Sequence, residues 1–329
     1  MMEDIKKFIP TENITLFRSC LVSAEYPGIE ASTKYVFDKL GVEYVIDRNQ
    51  SCCTGLGHYY DIFDELSTTA LAARNFSLAI KNNHKQYVPM CATCYAILKT
   101  AAKTLNEKDE VREHINRAFQ ENGLEEFQYT KGDINPSDDI THVVDVLYYL
   151  RDKIPENKKR DISGLNIATH HGCHYCKIHH EDTLCGYRNP EVIDKICEVM
   201  DAPTIGWYDQ KPRHCGGGFR QRYANRELSL DATVDKFESL HKENVDLLLV
   251  MCPNCHLQFD RYEQVLEEKT GDKHYFAVLN IAQLVALYMG ADPYKILGIQ
   301  THTVNVEPLL DKLGIDYDSR EDTLHVRNK

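Results

Sequence analysis

The chain has 329 residues, with 38 basic against 50 acidic side chains and a formal charge of -12. That length can bury a sizeable core and sets two domains as the natural expectation. The acidic balance argues against nucleic acid or an anionic membrane as the main partner, while leaving room for a local basic pocket that binds a small anion.

No apolar run approaches a membrane span; residues 245–251 and 284–289 are far too short. Met1-Met2-Glu3-Asp4 has no signal-peptide pattern, so a cytoplasmic protein is expected. Twelve cysteines in such a chain read as metal or redox ligands rather than as disulfides.

Residues 1–13 read as a polar extension with Pro10. Residues 14–18 predict a strand that delivers Cys20. Ala31, Tyr35, Val36 and Leu40 recur at helical spacing and Gly41 fits a C-cap. The β-branched run 42–46 predicts a second strand, leading to Cys52-Cys53. Residues 66–81 are helical in pattern, residues 87–90 predict a strand ending at Cys91, and residues 95–105 resume as helix just after Cys94. Alternation of this kind implies a parallel α/β sheet with right-handed crossovers. Ligands of such sheets sit beyond the carboxyl ends of the strands, where the cysteines of this half fall. Residues 106–136 read as an insertion of surface helices, residues 141–150 as a closing helix, and residues 152–164 as the linker.

The second half repeats the plan. A strand over 165–169 leads to Gly172-Cys173, and a helix over 192–200 follows. A short strand over 204–207 precedes His214-Cys215, then come a helix over 228–240 and the most apolar strand, 245–251, which delivers Cys252. Glu65-Leu66-Ser67 and Glu227-Leu228-Ser229 occupy equivalent places, each half reaches Met-Cys-x-x-Cys, and residues 281–289 parallel the first closing helix. The fold class expected is α/β: two duplicated Rossmann-like domains with parallel sheets and cysteines at the C-terminal ends of strands, divided as 1–155 and 156–329, the latter carrying a mixed tail.

The first half gathers Cys20, Cys52, Cys53, Cys91 and Cys94; the second gathers Cys173, Cys215, Cys252 and Cys255, with His214 before Cys215. A lone C-x-x-C could be a zinc knuckle, a redox pair or half of a cluster site. Zinc sites usually close with four ligands. Five thiols with two adjacent suit a larger cluster better, because neighbouring residues reach different irons more readily than one tetrahedral ion.

With these motifs the chain resembles the cysteine-rich domain of the B subunits of CoB–CoM heterodisulfide reductases. The resemblance covers nearly the whole chain, including Gly172-Cys173-His174 and the paired closing helices, although Thr54 stands between Cys53 and Gly55. It implies a noncubane [4Fe-4S] cluster held by Cys20, Cys52, Cys53, Cys91 and Cys94. A second cluster would use Cys173, Cys215, Cys252 and Cys255, with His214 at the fifth position. The two would face one another across a bound disulfide, CoM-S-S-CoB, cleaved with two electrons. Electrons would come from two partners, the iron–sulfur C subunit plus the flavin-containing A subunit, with hydrogenase or formate dehydrogenase modules further out. No flavin is expected in this chain itself, because Gly216-Gly217-Gly218 lacks the G-x-G-x-x-G context.

This chain has His214-Cys215-Gly216 where the family has Cys-Cys-Gly. Three readings follow: His214 ligates iron, Cys176 restores the fifth thiolate, or the second site holds a four-cysteine [4Fe-4S] cubane. Cys52, Cys53 and Cys215 are the expected catalytic thiolates, and His174 is a candidate proton donor to a leaving thiolate. Of the remaining histidines nearby, His171 belongs to the resembled motif, while His170, His179 and His180 are expected on the surface. Cys197 is expected in the core, and Cys185 has no assignment. Arg213, Arg220 and Arg222 surround the second motif and suit either anionic substrate groups or surface ion pairs. The alternative functions are a paralogue that works on another thiol or disulfide, as in thiol:fumarate reductase, an electron-transfer subunit with closed clusters, and a structural zinc protein.

Overall fold

The computed structural model describes residues 7–59, 61–218, 220–271 and 275–318. Each half of the chain is built on a small parallel sheet. In the first, β1 (Ile14–Phe17) lies between β2 (Tyr44–Val45) and β3 (Gln86–Pro89). A single parallel bridge between Tyr87 and Ile140 adds a fourth position beyond β3. In the second, β5 (Leu247–Val250) lies between β4 (Ile167–His170) and β6 (Ala277–Asn280). Thr204 bridges to Ile167 on the far side of β4. The two sheets therefore share one order of four positions, and what is a strand in one half is a single bridge in the other. The expected strand at 204–207 shrinks to that bridge because Gly206 turns the chain in a left-handed conformation (φ 70). The sequence reading has no counterpart for β6. Its four residues run directly into a helix and carry no turn signal of their own.

β1, β4 and β5 are buried at every position and apolar except at Thr15, Thr169 and His170. This is expected of parallel strands covered on both faces. The covering helices of the first half are α1 (Cys20–Ala24), α2 (Pro27–Leu40), α3 (Gly55–Tyr59), α4 (Glu65–Lys81), α5 (Ala92–Glu107), α6 (Asp109–Glu121) and α7 (Val143–Tyr149). Pro27 opens α2 and Gly41 closes it with φ 72. Asp64 caps α4 by accepting the Ser67 amide at 2.6 Å. The second half carries α8 (Cys173–Lys177), α9 (Val192–Glu198), α10 (Gln221–Ala224), α11 (Arg226–Lys242), α12 (Pro253–Arg261), α13 (Glu263–Thr270) and α14 (Ile281–Tyr288), with α15 (Glu307–Lys312) in the tail. Both closing helices start with a capping box, His142 with Asp145 in α7 and Asn280 with Gln283 in α14. Among the described residues no helix is long and apolar enough to cross a membrane.

The halves meet through reciprocal contacts: α2 packs on α14 and α9 on α7, while α1 meets α12 and α8 meets α5. Each pair is the counterpart of the other, which is the pattern of a local two-fold axis. Gly28 is required there, since a Cβ would lie 1.8 Å from the Leu297 carbonyl oxygen. Polar joints cross the same interface. Lys99, fully buried on α5, pairs with Asp182, and Tyr26 donates to Asp260 at 2.8 Å. Tyr175 donates to the buried Asp145, which Lys7 of the same half also pairs with at 2.7 Å. Residues 152–164 are not a loose linker. They form short turns at Arg151–Lys153 and Pro155–Asn157, bury Ile154 and Ile162, and donate the Lys159 and Arg160 amides to the Tyr288 carbonyl.

Candidate functional site

Parallel crossovers return every strand in the same direction, so the loops that carry cysteine collect at one edge. Cys20 opens α1 three residues after β1, Cys52 and Cys53 lie in the loop before α3, Cys91 is the N-cap of α5, and Cys94 is in its first turn. The second half places Cys173, Cys215, Cys252 and Cys255 in the same roles around α8, α11 and α12.

Local bonds make the correspondence residue by residue. The Gly55 amide points to Cys53 Sγ at 3.4 Å, and the Gly217 amide to Cys215 Sγ at 3.4 Å. The Thr54 amide points to Cys52 Sγ at 3.3 Å, and the Gly216 amide to His214 Nδ1 at 3.1 Å. Cys215 is thus the counterpart of Cys53, and His214 the counterpart of Cys52. Thr54 holds a left-handed turn (φ 58), with its hydroxyl donating to the Cys53 carbonyl at 2.7 Å.

Within the first set, Cys53 Sγ lies 3.1 Å from Cys94 Sγ. Across the halves, Cys91 Sγ lies 3.9 Å from Cys252 Sγ, so the two sets adjoin on the local two-fold. Gly172 permits this approach, because a Cβ there would stand 2.8 Å from Ala92 Cβ and 3.3 Å from Cys252 Cβ. All twelve cysteines are free thiols.

The thiols compete for protons. The Cys20 thiol donates to Cys52 and holds Cys52 down to about 3, while Cys20 itself is pushed far up, chiefly by that bond and then by burial. Its bond to Cys52 lifts Cys53 to about 12. In the second set the Cys255 thiol lowers both Cys215 and Cys252, and its own proton is held by its bond to Cys215. Burial raises Cys173 and Cys91. Buried thiols packed at these distances cannot all ionise without a positive partner. Thiolate-rich donor sets of this kind fit the cationic core of an iron–sulfur cluster.

Beside the second set opens a cavity of about 380 Å³, lined by Cys173, Cys176, Lys177, Lys211, Arg213 and His214 among others. Cys176 is buried and faces this cavity with Cys173. Cys197 is fully buried on α9, as expected of a core residue. Cys185 sits apart on a left-handed turn (φ 55), bonded to Tyr148.

One sequence expectation is overturned by burial. His170 and His179 are not surface residues: both are buried, and only His180 of the three is exposed. His170 is the last residue of β4 and faces the interior, and His179 bonds to the Thr100 hydroxyl at 3.1 Å on α5. The three arginines take the protein-partner side of their two expected roles. Arg213 pairs with Asp235, Arg220 with Asp61, and buried Arg222 donates to the Gln258 amide oxygen at 2.9 Å. His174 is buried, with Nδ1 3.5 Å from Cys173 Sγ and its ring 4.9 Å from that of Tyr59. Burial holds its pKa down to about 4, so the imidazole is neutral at physiological pH.

Sequence reasoning missed three groups near the thiols. His170 lies within 4.8 Å of the Cys215 and Cys255 sulfurs. Asn254 bounds the first thiol set from the second half, with its amide donating to the Gly217 carbonyl at 3.0 Å. Lys236, fully buried on α11, reaches the Gln210 carbonyl in the loop before His214. Only the polarity of His170 at the end of an otherwise apolar strand offered a signal.

Comparison with known proteins agrees with the duplication. The CCG family, described as a cysteine-rich domain, matches residues 14–99 and 167–260, one match in each half. Over 307 residues the chain is 47% identical to the B subunit of the ferredoxin:CoB-CoM heterodisulfide reductase of Methanosarcina acetivorans, covering 93% of this chain and 98% of that one. It is 32% identical over 298 residues to the B subunit of the ferredoxin/F(420)H(2)-dependent CoB-CoM heterodisulfide reductase of the same organism, covering 89% and 95%. A hypothetical protein from Helicobacter pylori shares the fold, with a TM-score of 0.64 at 14% identity; the match covers 91% of this chain and 53% of that one. The fold and its paired thiol sets are those of a duplicated cysteine-rich domain protein. Within that class, the chain belongs to the family of heterodisulfide reductase B subunits.

Proposed function

We propose that this chain is the catalytic iron–sulfur subunit that reduces the heterodisulfide CoM-S-S-CoB to its two thiols in a cytoplasmic complex. The observation that carries the reading is the meeting of the two thiol sets, with Cys91 and Cys252 sulfurs 3.9 Å apart on the local two-fold. Cys20, Cys52, Cys53, Cys91 and Cys94 would hold a noncubane [4Fe-4S] cluster. Cys173, Cys215, Cys252 and Cys255 would hold a second cluster, noncubane or cubane. The clusters would supply two electrons to the sulfur–sulfur bond; with two protons, one disulfide becomes two thiols. The electrons would arrive from the iron–sulfur C subunit plus the flavin-containing A subunit.

The chain's own residues set the conditions. The Thr54, Gly55 and Gly217 amides orient cysteine sulfurs and favour their thiolate forms. His174, neutral and next to Cys173, is the group we assign to relay a proton to a leaving thiolate, one ring nitrogen giving its proton as the other takes one up. Lys177 in the cavity would favour an anionic substrate group, beside Lys211 and Arg213, which are already paired with Asp194 and Asp235. Each half is read as a Rossmann-like unit, with the boundary at 155/156, where a short turn begins at Pro155. Replacement of a cysteine by His214 favours a second reading, a paralogue that works on another thiol or disulfide.

Anaerobic measurement of iron and acid-labile sulfide, followed by electron paramagnetic resonance after thiol addition, separates the two. About eight irons per chain and a paramagnetic species induced by CoM or CoB thiol are expected. Two clusters with no response to either thiol would move the substrate to the second reading.

A further inference from the structure

The second thiol set has one cysteine fewer than the first, and His214 occupies the equivalent place. The hydrogen bonding at that place bears on whether His214 can ligate metal. Cys52 accepts the Thr54 amide and still has sulfur lone pairs to spare. A neutral imidazole has a single ring lone pair. His214 spends it at Nδ1 on the Gly216 amide, 3.1 Å away, which puts the ring proton on Nε2. His214 is therefore a turn-forming residue whose remaining nitrogen is a donor.

A different imidazole faces the second set. His170 ends β4, three residues before Cys173, and is 1% exposed. One of its ring nitrogens lies within 4.8 Å of the Cys215 and Cys255 sulfurs. Neither ring nitrogen has a hydrogen-bond partner among the described residues, although an unpaired buried polar group is costly. Its ring is held edge-on against Phe259 of α12, with centroids 5.0 Å apart. The counterpart in the first half is Phe17, also the last residue of its strand and three residues before its cysteine. The half with five thiols has an apolar residue at this position, and the half with four has a buried imidazole.

We propose that His170 supplies a nitrogen ligand to the second cluster, so that the set there is Cys173, Cys215, Cys252, Cys255 and His170. The assignment rests on the reading that the second thiol set holds an iron–sulfur cluster. Imidazole in place of thiolate removes one negative charge from the cluster environment and raises its reduction potential.

The test uses the full chain purified anaerobically with its native partners, with all histidines labelled with ¹⁵N. Pulsed electron paramagnetic resonance on the reduced protein should show a histidine nitrogen strongly coupled to a cluster. That coupling should vanish in His170→Phe, which copies the first half, and persist in His214→Ala. Where His170→Phe fails to fold, His170→Cys serves: it should keep the iron content and lose the coupling. Two clusters by iron analysis with no histidine coupling in the wild type would overturn the proposal and leave the cluster reading standing. Coupling that survives in position 170 variants, or is lost only in His214→Ala, would overturn it too. Iron for a single cluster would instead defeat the reading beneath it.

Discussion

In the first half, β1 closes on Phe17, Cys52 begins the paired-cysteine turn, and half-buried Arg74 ties the preceding loop through the Asn49 carbonyl at 2.9 Å and the Ser51 hydroxyl at 2.8 Å. In the second half, the same places hold His170, His214 and fully buried Lys236, which reaches the Gln210 and Lys211 carbonyls. The backbone plan, the sulfur-directed amides and the reciprocal helix contacts are kept. What changes is charge: the first site gathers five thiols, while the second gathers four with imidazoles beside them, and each half keeps one basic side chain at the same place, Arg74 and Lys236. A duplicated scaffold has thus been kept for geometry while its electrostatics diverged, and more positive surroundings favour the reduced form of a cluster. On the proposed function, a cluster held in the second half is accordingly expected to be easier to reduce than one held in the first.

The sharpest break of this comparison is Cys53→Ala. Cys53 lies 3.1 Å from Cys94, and its half has Phe17 where the other has His170, so no imidazole stands there to take its place. Disulfide reduction should be abolished and the first cluster's spectrum lost, while the second cluster's signal survives. Steady-state assays with benzyl-viologen-type donors, read beside low-temperature spectra, check both parts. Wild-type-like activity would remove the first half from the reaction.

Next in size is the joint at Lys99. Its ammonium is 1% exposed, and its partner Asp182 comes from the other half. Asp182→Ala would leave a buried charge whose remaining hydrogen-bond partner among the described residues is the Tyr95 hydroxyl at 3.3 Å. Removing one partner of a buried pair costs roughly 3–5 kcal/mol. The urea midpoint should fall accordingly, and the double variant Lys99→Met/Asp182→Leu should recover most of the loss. A double variant as unstable as the single would mean that the charge is not the cause.

Sequence reading reached the β–α order, the position of Cys20, Cys91, Cys173 and Cys252 just past strand ends, the Gly41 cap and the core place of Cys197, because hydrophobic period and cap chemistry are local. It could not reach the contacts made by the two-fold. Whether Arg213, Arg220 and Arg222 meet an anionic ligand or protein partners stays open until tertiary packing brings Asp235, Asp61 and Gln258 beside them. His170 and His179 read as polar and hence exposed. Their burial depends on α12 and α5, which come from distant parts of the chain to close over them. β6 was invisible because a four-residue strand joined to a helix has no period of its own.

The two closing helices offer a smaller contrast, in pH. His142 caps α7 by accepting the Val144 amide at Nδ1, 3.1 Å away, so the folded state needs it neutral. Burial holds its pKa down to about 4, against an ordinary value of 6.5. Between those values the unfolded chain binds a proton that the folded chain refuses. Its contribution is therefore intact above pH 6.5 and is lost as pH falls toward 4. Asn280 caps α14 with no titrating group. His142→Asn should keep the cap and flatten the acid limb by on the order of 2 kcal/mol. Urea midpoints from about pH 7 to about pH 4 that run parallel in the two proteins would assign the acid loss elsewhere.

The smallest effect separates the two interface joints themselves. Tyr26 and Asp260 stand where the other side of the two-fold has His179 and Lys99, and the bond is again buried and between halves. Asp260, however, also accepts the Thr303 amide at 2.9 Å and the Val304 amide at 2.9 Å. Tyr26→Phe would therefore leave a carboxylate that still has two donors, and the ring would keep its place 4.2 Å from His256. The loss reduces to one hydrogen bond to a charged group, roughly 1.5–3 kcal/mol at most, and the lower end is expected because the amides remain. Its urea midpoint should fall less than that of Asp182→Ala, with an unchanged slope. Equal losses would show that the Thr303 and Val304 amides do not hold the carboxylate once the hydroxyl is gone, and that the two joints contribute alike to holding the halves together.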